Sequence, residues 1–408
     1  MTARQAQSTV RDLHLVLIAG EHSGDALGAK LMQRLNAERP GRIRYTGVGG
    51  DAMAAEGLTS LFPLSDVAVM GPLAILSQLP TLIARVHSAV DAAIAANPDA
   101  VVIIDSPEFT HPIAKRIRKR APQIPIIDYV SPSVWAWRPG RAKRMRVYID
   151  HVMALLPFEP AAHVRLGGPP CTYVGHPLIE RHDWLQSLDP APLAARLGLA
   201  NNQPTLVVLP GSRASEVRRM IGDFGQTIAR LHERNIYPTI LLPVVESVRP
   251  LIEDAVKVWP AKPHLITGED DKFRAFKLAT AALAASGTVT LELALAGTPM
   301  VVAYKVEPVA ALFRFLLKTP SIVLANLILG ENAIPEYIQE RCTPELLAAA
   351  VAPLLSDTPE RGAQLAALAR IPSQMLLPTS AGANGTPSGA AAAVVLGIID
   401  AAAQTAAQ

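Results

Sequence analysis

Cysteine is nearly missing. Of 408 residues only Cys171 and Cys342 carry a thiol, too few for a disulfide framework and in keeping with a reducing, cytoplasmic compartment. Strong charge of one sign is missing too, since the net charge is +3, which gives no case for a nucleic-acid partner by itself. Nowhere do Cys, His and carboxylates recur at metal-ligand spacing, so no metal is expected. The GxGxxG fingerprint of a dinucleotide site is absent from the first strand-helix turn. A signal peptide is not expected either. Arg4 and Arg11 precede the apolar Leu13 to Gly20, but that run is short and leads into Gly-Glu-His-Ser-Gly-Asp, not into a small-residue cleavage site.

What is present is ample apolar residue, 50% of the chain, enough for two cores in two domains of roughly 150–200 residues each. The most informative stretch is Thr205 to Met220. Leu206 to Leu209 reads as a buried parallel strand, and Pro210-Gly211 breaks it. Ser212 or Ser215 can cap a helix running toward Asn235. A strand feeding a helix through Pro-Gly-Ser offers free backbone amides to an anion, and Arg213 adds a planar cation where a phosphate would sit. The same pattern also fits an ordinary turn carrying a surface Arg.

Upstream, Leu13 to Ala19 is the first strand. Gly24 and Gly28 share a face of the helix that follows and let it approach the sheet. Glu21 stands where a phosphate cradle would need no acid, so this loop suits hydroxyl or amine groups, unless Glu21 only faces the helix dipole. Ile43 to Val48, Ala100 to Ile104, Ile124 to Val130, Met153 to Leu156 and Thr172 to Val174 continue the strands. Asp105 ends one of them and, in a parallel sheet, points at the ligand side. Helix capping is the competing role for such an Asp.

Val67 to Ala84 holds no charged residue and crowds Leu73, Ile75, Leu76, Leu79, Leu82 and Ile83. Gly71, Pro72 and Pro80 interrupt it, which argues against a membrane span and leaves a core helix or a helix lying in a membrane interface. His111 to Asp150 is basic, with Arg116, Lys119, Lys143, Arg144 and Arg146 among its cations, and it contains Trp135-Ala136-Trp137. That mixture suits an anionic lipid surface, and no nucleic-acid module pattern accompanies it. His176, before a proline, reads as a hydrogen-bonding residue of the linker between the two strand-helix sets.

A second set of strands runs through Thr239 to Leu242, His264 to Ile266, Ala281 to Ala285 and Met300 to Ala303, alternating with helical stretches. Ser286-Gly287-Thr288 is another strand-helix junction, in which Ser286 and Thr288 are natural helix caps and the helix N-terminus suits phosphate. Glu292, one turn on, can accept both hydroxyls of a ribose. Two such junctions in one domain suit a nucleoside diphosphate. Asn326 is a polar residue in an apolar run. Ala390 to Ala403 is an apolar helix that must dock on the first domain or on another chain.

Taken together, Ala19-Gly20-Glu21-His22-Ser23-Gly24-Asp25, Ile104-Asp105-Ser106-Pro107-Glu108-Phe109, Tyr129-Val130-Ser131-Pro132 with Trp135-Ala136-Trp137, Leu209-Pro210-Gly211-Ser212-Arg213, Ser286-Gly287-Thr288 with Glu292, and Asn326 with Glu331 to Gln339 resemble the lipid-A-disaccharide synthase family. The motifs run in order over about residues 13–355, and the tail after about 370 resembles it only loosely. The resemblance implies the GT-B architecture, an α/β fold of two doubly wound Rossmann-like domains facing across a cleft. The expected division is 1–178, 179–370 and a tail 371–408 that packs on the first domain or is swapped into a homodimer.

The family's reaction joins UDP-2,3-diacylglucosamine to 2,3-diacylglucosamine 1-phosphate, giving the β-1,6-linked disaccharide phosphate and UDP, with inversion and without cofactor or metal. By position, the resemblance makes Asp105 the general base or acceptor-orienting acid and places Glu21, Ser23 and Asp25 on the acceptor side. It places Gly211, Ser212, Arg213, Ser286, Gly287, Thr288, Glu292 and Asn326 around the UDP-sugar. It also implies a peripheral enzyme of the inner membrane in a Gram-negative bacterium, with Leu73, Leu76, Leu79 and Leu82 as lipid contacts. A UDP-N-acetylglucosamine 2-epimerase and a non-catalytic UDP-sugar-binding protein are the competing readings.

Overall fold

The computed structural model describes residues 11–68, 78–199, 203–306, 319–377 and 385–406. Two compact units divide the chain. The first comprises Met1–Pro177 and Leu377–Gln408, the second Leu178–Leu376.

The first unit is built on seven strands, β1 (Leu13–Ala19), β2 (Ile43–Val48), β3 (Leu58–Ser60), β4 (Ala100–Ile104), β5 (Ile126–Tyr129), β6 (His151–Ala154) and β7 (Cys171–Tyr173), in the order β3-β2-β1-β4-β5-β6-β7. Every neighbouring pair is parallel. Helices α1 (His22–Glu38), α2 (Asp51–Ala55), α3 (Leu79–Ala96), α4 (Pro107–Arg120), α5 (Gly140–Met145) and α6 (Glu159–Leu166) lie one in each connection between successive strands. The two-residue period of a strand divides β1 between two cores. Val16 and Ile18 meet Val101, Ile103, Val90 of α3 and Ile113 of α4, while Leu15 and Leu17 meet Val102, Ile104 and Leu31 of α1.

That second core is completed from the far end of the chain. The C-terminal helix Pro387–Ala406 buries Ala390, Ala391, Ala392, Val395, Leu396 and Ile399 in it. The helix has a mean hydropathy of 1.4 over 19 residues and is long enough to cross a membrane. Its apolar residues are nonetheless part of a protein core. The small side chains let it lie close on α1, so the tail covers its own chain's first domain. The boundary differs from the expected 370/371, because Ile371 and Met375 are buried in the second unit.

The second unit contains β8 (Thr205–Leu209), β9 (Thr239–Pro243), β10 (His264–Ile266), β11 (Ala281–Ala285), β12 (Met300–Tyr304) and β13 (Glu336–Ile338), in the order β10-β9-β8-β11-β12-β13 and all parallel. Its helices include α7 (Ala214–Glu233), α8 (Glu269–Leu278), α9 (Val289–Leu295), α10 (Leu324–Leu329) and α11 (Pro344–Val351). Helix α7 shows the amphipathic period plainly, burying Val217, Met220, Ile221, Phe224, Ile228 and Leu231. Both sheets reverse their strand order once, between β1 and β4 and between β8 and β11. In open parallel sheets ligands bind beyond the carboxyl ends of the strands at such a reversal.

Candidate active site

At the first reversal, Ala19 of β1 lies beside Ile104 of β4, so Gly20-Glu21 and Asp105-Ser106 leave the sheet side by side. They touch. A Cβ on Gly20 would sit 2.4 Å from the Cβ of Ser106, far inside contact distance, so only glycine lets the two exits come this close. Asp105 and Ser106 both hold left-handed backbone, with φ of 54° and 44°, and Val130 at the neighbouring end of β5 has φ of 87°. Three non-glycine residues in that region, one of them β-branched, store strain of about 1–3 kcal/mol each, and such strain gathers at functional sites.

The turn aims two carboxylates at one hydroxyl. Ser23 Oγ lies 3.0 Å from Glu21 Oε1 and 3.4 Å from Asp105 Oδ2. A hydroxyl has one proton, so it can donate to only one of them at a time. Asp105 Oδ1 accepts from the Ser106 amide at 2.8 Å. Oδ2 is therefore the oxygen left able to take a proton from a ligand hydroxyl. Asp105 does not cap α4. Ser106 holds the N-cap position and Pro107 the first helical one.

Asp25 is a correction. It is buried at 5% exposure and accepts from the amides of Gly50, Ala52 and Met53 at 2.7–3.1 Å. It fixes the start of α2 and offers nothing to an acceptor sugar. Gly28 lies against Met53 in the same contact, with 2.5 Å from a built Cβ to its sulfur.

Trp135, grouped by sequence with a lipid-facing surface, points inward instead. Its indole N–H donates to Glu159 Oε1 at 3.1 Å, and its ring stands edge-on to Phe158. Glu159 also accepts from the Leu156 amide at 3.0 Å. Burial pushes its pKa up to about 7. Trp137 is the more exposed ring, with the Arg138 guanidinium 4.2 Å from its centre.

At the second reversal, Leu209 lies beside Ala284, which sets Gly211–Arg213 next to Ser286–Thr288. Together with Thr267, Gly268, Lys272 and Glu292 they line a cavity of about 680 Å³, within the range of small-molecule sites. Gly211 has φ of 125°, and a Cβ there would meet Glu216 at 2.6 Å. Arg213, not Ser212 or Ser215, takes the N-cap of α7.

Glu216 and Lys272 were not singled out from the sequence. Glu216 Oε2 accepts from the amides of Ser212 and Arg213 at 3.3 and 3.4 Å, and Oε1 from Arg213 Nη1 at 3.1 Å. The anion in this turn is thus the protein's own, and a Glu three residues past a turn is the local signal for it. Lys272 of α8 grips both oxygens of Glu292 at 3.0 and 2.9 Å, a contact across 20 residues that no local pattern announces.

Two further expectations change. Ser286 does not cap α9, because its hydroxyl donates to the Ile322 carbonyl at 3.0 Å. Thr288 occupies the N-cap position without a side-chain bond. Asn326 is 2% exposed. Its amide donates to the Ile334 carbonyl at 2.9 Å and its oxygen accepts from the Ile334 amide at 2.9 Å. Its amide also donates to Ser321 Oγ at 3.3 Å, so Asn326 ties α10 to the segment leading into β13, and it is not among the residues lining the cavity.

Of the four leucines expected at lipid, Leu73 and Leu76 lie outside the described residues. Leu79 is 43% exposed at the start of α3. Leu82 packs against the first unit's core, because it falls on the face of α3 that Val86 and Val90 bury.

Two parallel α/β sheets, one with a carboxylate pair at its reversal and one with a turn-lined cavity, are those of a GT-B glycosyltransferase. Solved structures share the fold: the UDP-GlcNAc 2-epimerase of Neisseria meningitidis bound to UDP-GlcNAc (TM-score 0.63, 13% identity, covering 94% of this chain and 100% of that one) and Acinetobacter baumannii MurG (TM-score 0.54, 13% identity, 94% and 99%). The chain belongs to the lipid-A-disaccharide synthase family, whose model, lipid-A-disaccharide synthetase, matches residues 15–372. A lipid-A-disaccharide synthase of Rhodopseudomonas palustris BisB18 is 50% identical over 390 residues, 95% of this chain and 96% of its own. One from Nitrobacter winogradskyi is 51% identical over 354 residues, 86% and 88%. The chain is accordingly an enzyme of lipid A disaccharide synthesis, which uses a sugar nucleotide and a phosphosugar.

Proposed function

We propose that this chain transfers diacylglucosamine from UDP-2,3-diacylglucosamine to the 6-hydroxyl of 2,3-diacylglucosamine 1-phosphate, forming a β-1,6 bond with inversion. The observation that carries the reading is the carboxylate pair around Ser23, with Asp105 oriented by the Ser106 amide and its Oδ2 contacted only by the Ser23 hydroxyl, at 3.4 Å. In a single displacement the acceptor oxygen bonds to the anomeric carbon as the bond from that carbon to the UDP oxygen breaks. The hydroxyl proton passes to Asp105, and the electron pair leaves with UDP. Glu21 and Ser23 orient the acceptor. Arg213, the turn amides of Ser212 and Arg213, and the Ser286–Thr288 junction hold the diphosphate and stabilise its departing charge. Glu292 takes the ribose hydroxyls. Neither the epimerase nor the simple binding reading gives Asp105 an acceptor proton to remove.

Both substrates carry acyl chains, and drawing each CH₂ through water costs about 0.8 kcal/mol. We place the enzyme at the cytoplasmic face of the inner membrane for that reason. The exposed Leu79 and Ile83 and the exposed Lys143, Arg144 and Arg146 support this.

The test is product analysis with UDP-diacylglucosamine, with and without the lipid acceptor. Disaccharide phosphate should form only with the acceptor, and Asp105→Asn should lower turnover about 100-fold or more at unchanged melting temperature. Near-normal turnover in that variant would remove Asp105 from the chemistry, and a 2-epimer formed without acceptor would favour the isomerase.

A further inference from the structure

Glu292 is not alone in the nucleotide cavity. The Lys272 ammonium contacts both of its oxygens, at 3.0 and 2.9 Å, and the pair is only partly open to solvent, with 26% and 15% of the side chains exposed. The ammonium has two aromatic neighbours as well. It lies 4.5 Å from the centre of the Phe273 ring and 5.9 Å from that of Phe276, both buried, where a cation is attracted to the ring faces. Lysine therefore reaches Glu292 from a fixed direction.

A carboxylate has about four lone-pair sites. A lysine bridging both oxygens uses two, fixes the plane of the group and leaves one site on each oxygen. Two remaining acceptors on a fixed plane match two neighbouring hydroxyls. Without the lysine, the carboxylate could rotate and be hydrated in many orientations.

We propose that Lys272 is a positioning residue for sugar-nucleotide selection: it orients Glu292 so that the site prefers a ribonucleotide to a deoxyribonucleotide. This rests on the reading of Glu292 as the ribose acceptor, and it gives the donor site a discriminating device built from α8 and α9.

The test measures dissociation constants of UDP, 2′-deoxy-UDP and uridine by calorimetry on the full-length protein. Wild type should favour UDP over 2′-deoxy-UDP by about tenfold or more, the effect of one hydrogen bond to a charged group. Lys272→Met should still bind UDP but lose most of that preference. Lys272→Arg should restore part of it, and adding Lys272→Met to Glu292→Gln should change the preference little further.

Full ribose preference in Lys272→Met overturns the proposal. So does an equal loss for UDP and 2′-deoxy-UDP with uridine unaffected, since that pattern places the lysine on the diphosphate. If Lys272→Met melts early, Lys272→Arg decides: wild-type-like stability with no ribose preference also overturns it. A wild type that binds both nucleotides equally refutes the role of Glu292 itself, a different failure from the ones above.

Discussion

At the scale of single residues, Glu216 is the side chain with most to reveal. Its carboxylate sits on the two turn amides and the guanidinium that would hold a diphosphate. Each amide has one proton to donate, so on the proposed function UDP would displace the carboxylate from both amides, and the displacement would offset part of the binding energy. Glu216→Gln removes the competing charge and keeps a hydrogen-bonding side chain at the third position of α7. UDP should bind the variant more tightly by roughly tenfold, about 1.4 kcal/mol, while uridine, which has no phosphate, should bind as before. Calorimetry with both ligands checks it, and weaker UDP binding would mean that Glu216 holds the turn in its binding shape instead of blocking it. Gly20 acts at the same scale by subtraction. Its missing side chain is what allows Glu21 and Asp105 to flank one serine.

At the scale of elements, the segment after β5 is held by a buried acid. Glu159 anchors Trp135 and the Leu156 amide, and burial raises its pKa to about 7 from the ordinary 4.5. Between those values the folded protein keeps a proton that the unfolded chain releases. Its contribution to stability is therefore full below about pH 4.5 and is lost as pH rises through about 7, a difference on the order of 3 kcal/mol. Glu159→Gln should remove that slope. Urea midpoints at pH 5 and pH 7.5 read it out, and equal slopes in wild type and variant would leave Glu159 without this role.

Leu79 and Ile83 are exposed at the start of α3, and Lys143, Arg144 and Arg146 are exposed on and beside α5. Serine at 79 and 83 should shift protein from the membrane pellet to the supernatant without lowering the melting temperature, and high salt should release wild type only partly, because screening touches only the cations. Clean release by salt alone would make the contact purely electrostatic.

These elements also mark what the sequence made legible. Continuous apolar runs ending in Gly, Pro, Ser or Asp located β1, β4, β8 and β11, and hence both reversals with Glu21, Asp105, Arg213 and Glu292. Short strands with mixed residues, β3 and β13, left no such run. The contacts of Asp25 and Lys272 are hidden because their partners lie 20 or more residues away, and that of Asn326, whose partner Ile334 is only eight residues on, because a polar residue reads the same whether it faces a ligand or a backbone amide.

At the scale of the whole molecule, the C-terminal helix decides whether the first domain is complete. Its Val395, Leu396 and Ile399 alone bury side chains worth about 1.5–3 kcal/mol each, a large part of the 5–15 kcal/mol by which a typical domain is stable. Deleting residues 385–408 should abolish cooperative unfolding of the first domain and leave that of the second. Two transitions by calorimetry in the full chain, and one surviving in the truncation, would be the expected record. Two intact transitions in the truncated protein would show that the tail is dispensable.

The same arrangement imposes an order in time. A ribosome delivers β1 to β7 first, then all of Leu178–Leu376, and only afterwards the helix that closes over Leu31 and its neighbours. At roughly 5–20 residues per second, the nascent first half waits on the order of 10–40 s with an oily face uncovered, while the later-made domain can already be finished. The earliest-made domain of this protein is thus the last to be sealed, and exposed apolar surface of that kind is prone to association during the wait.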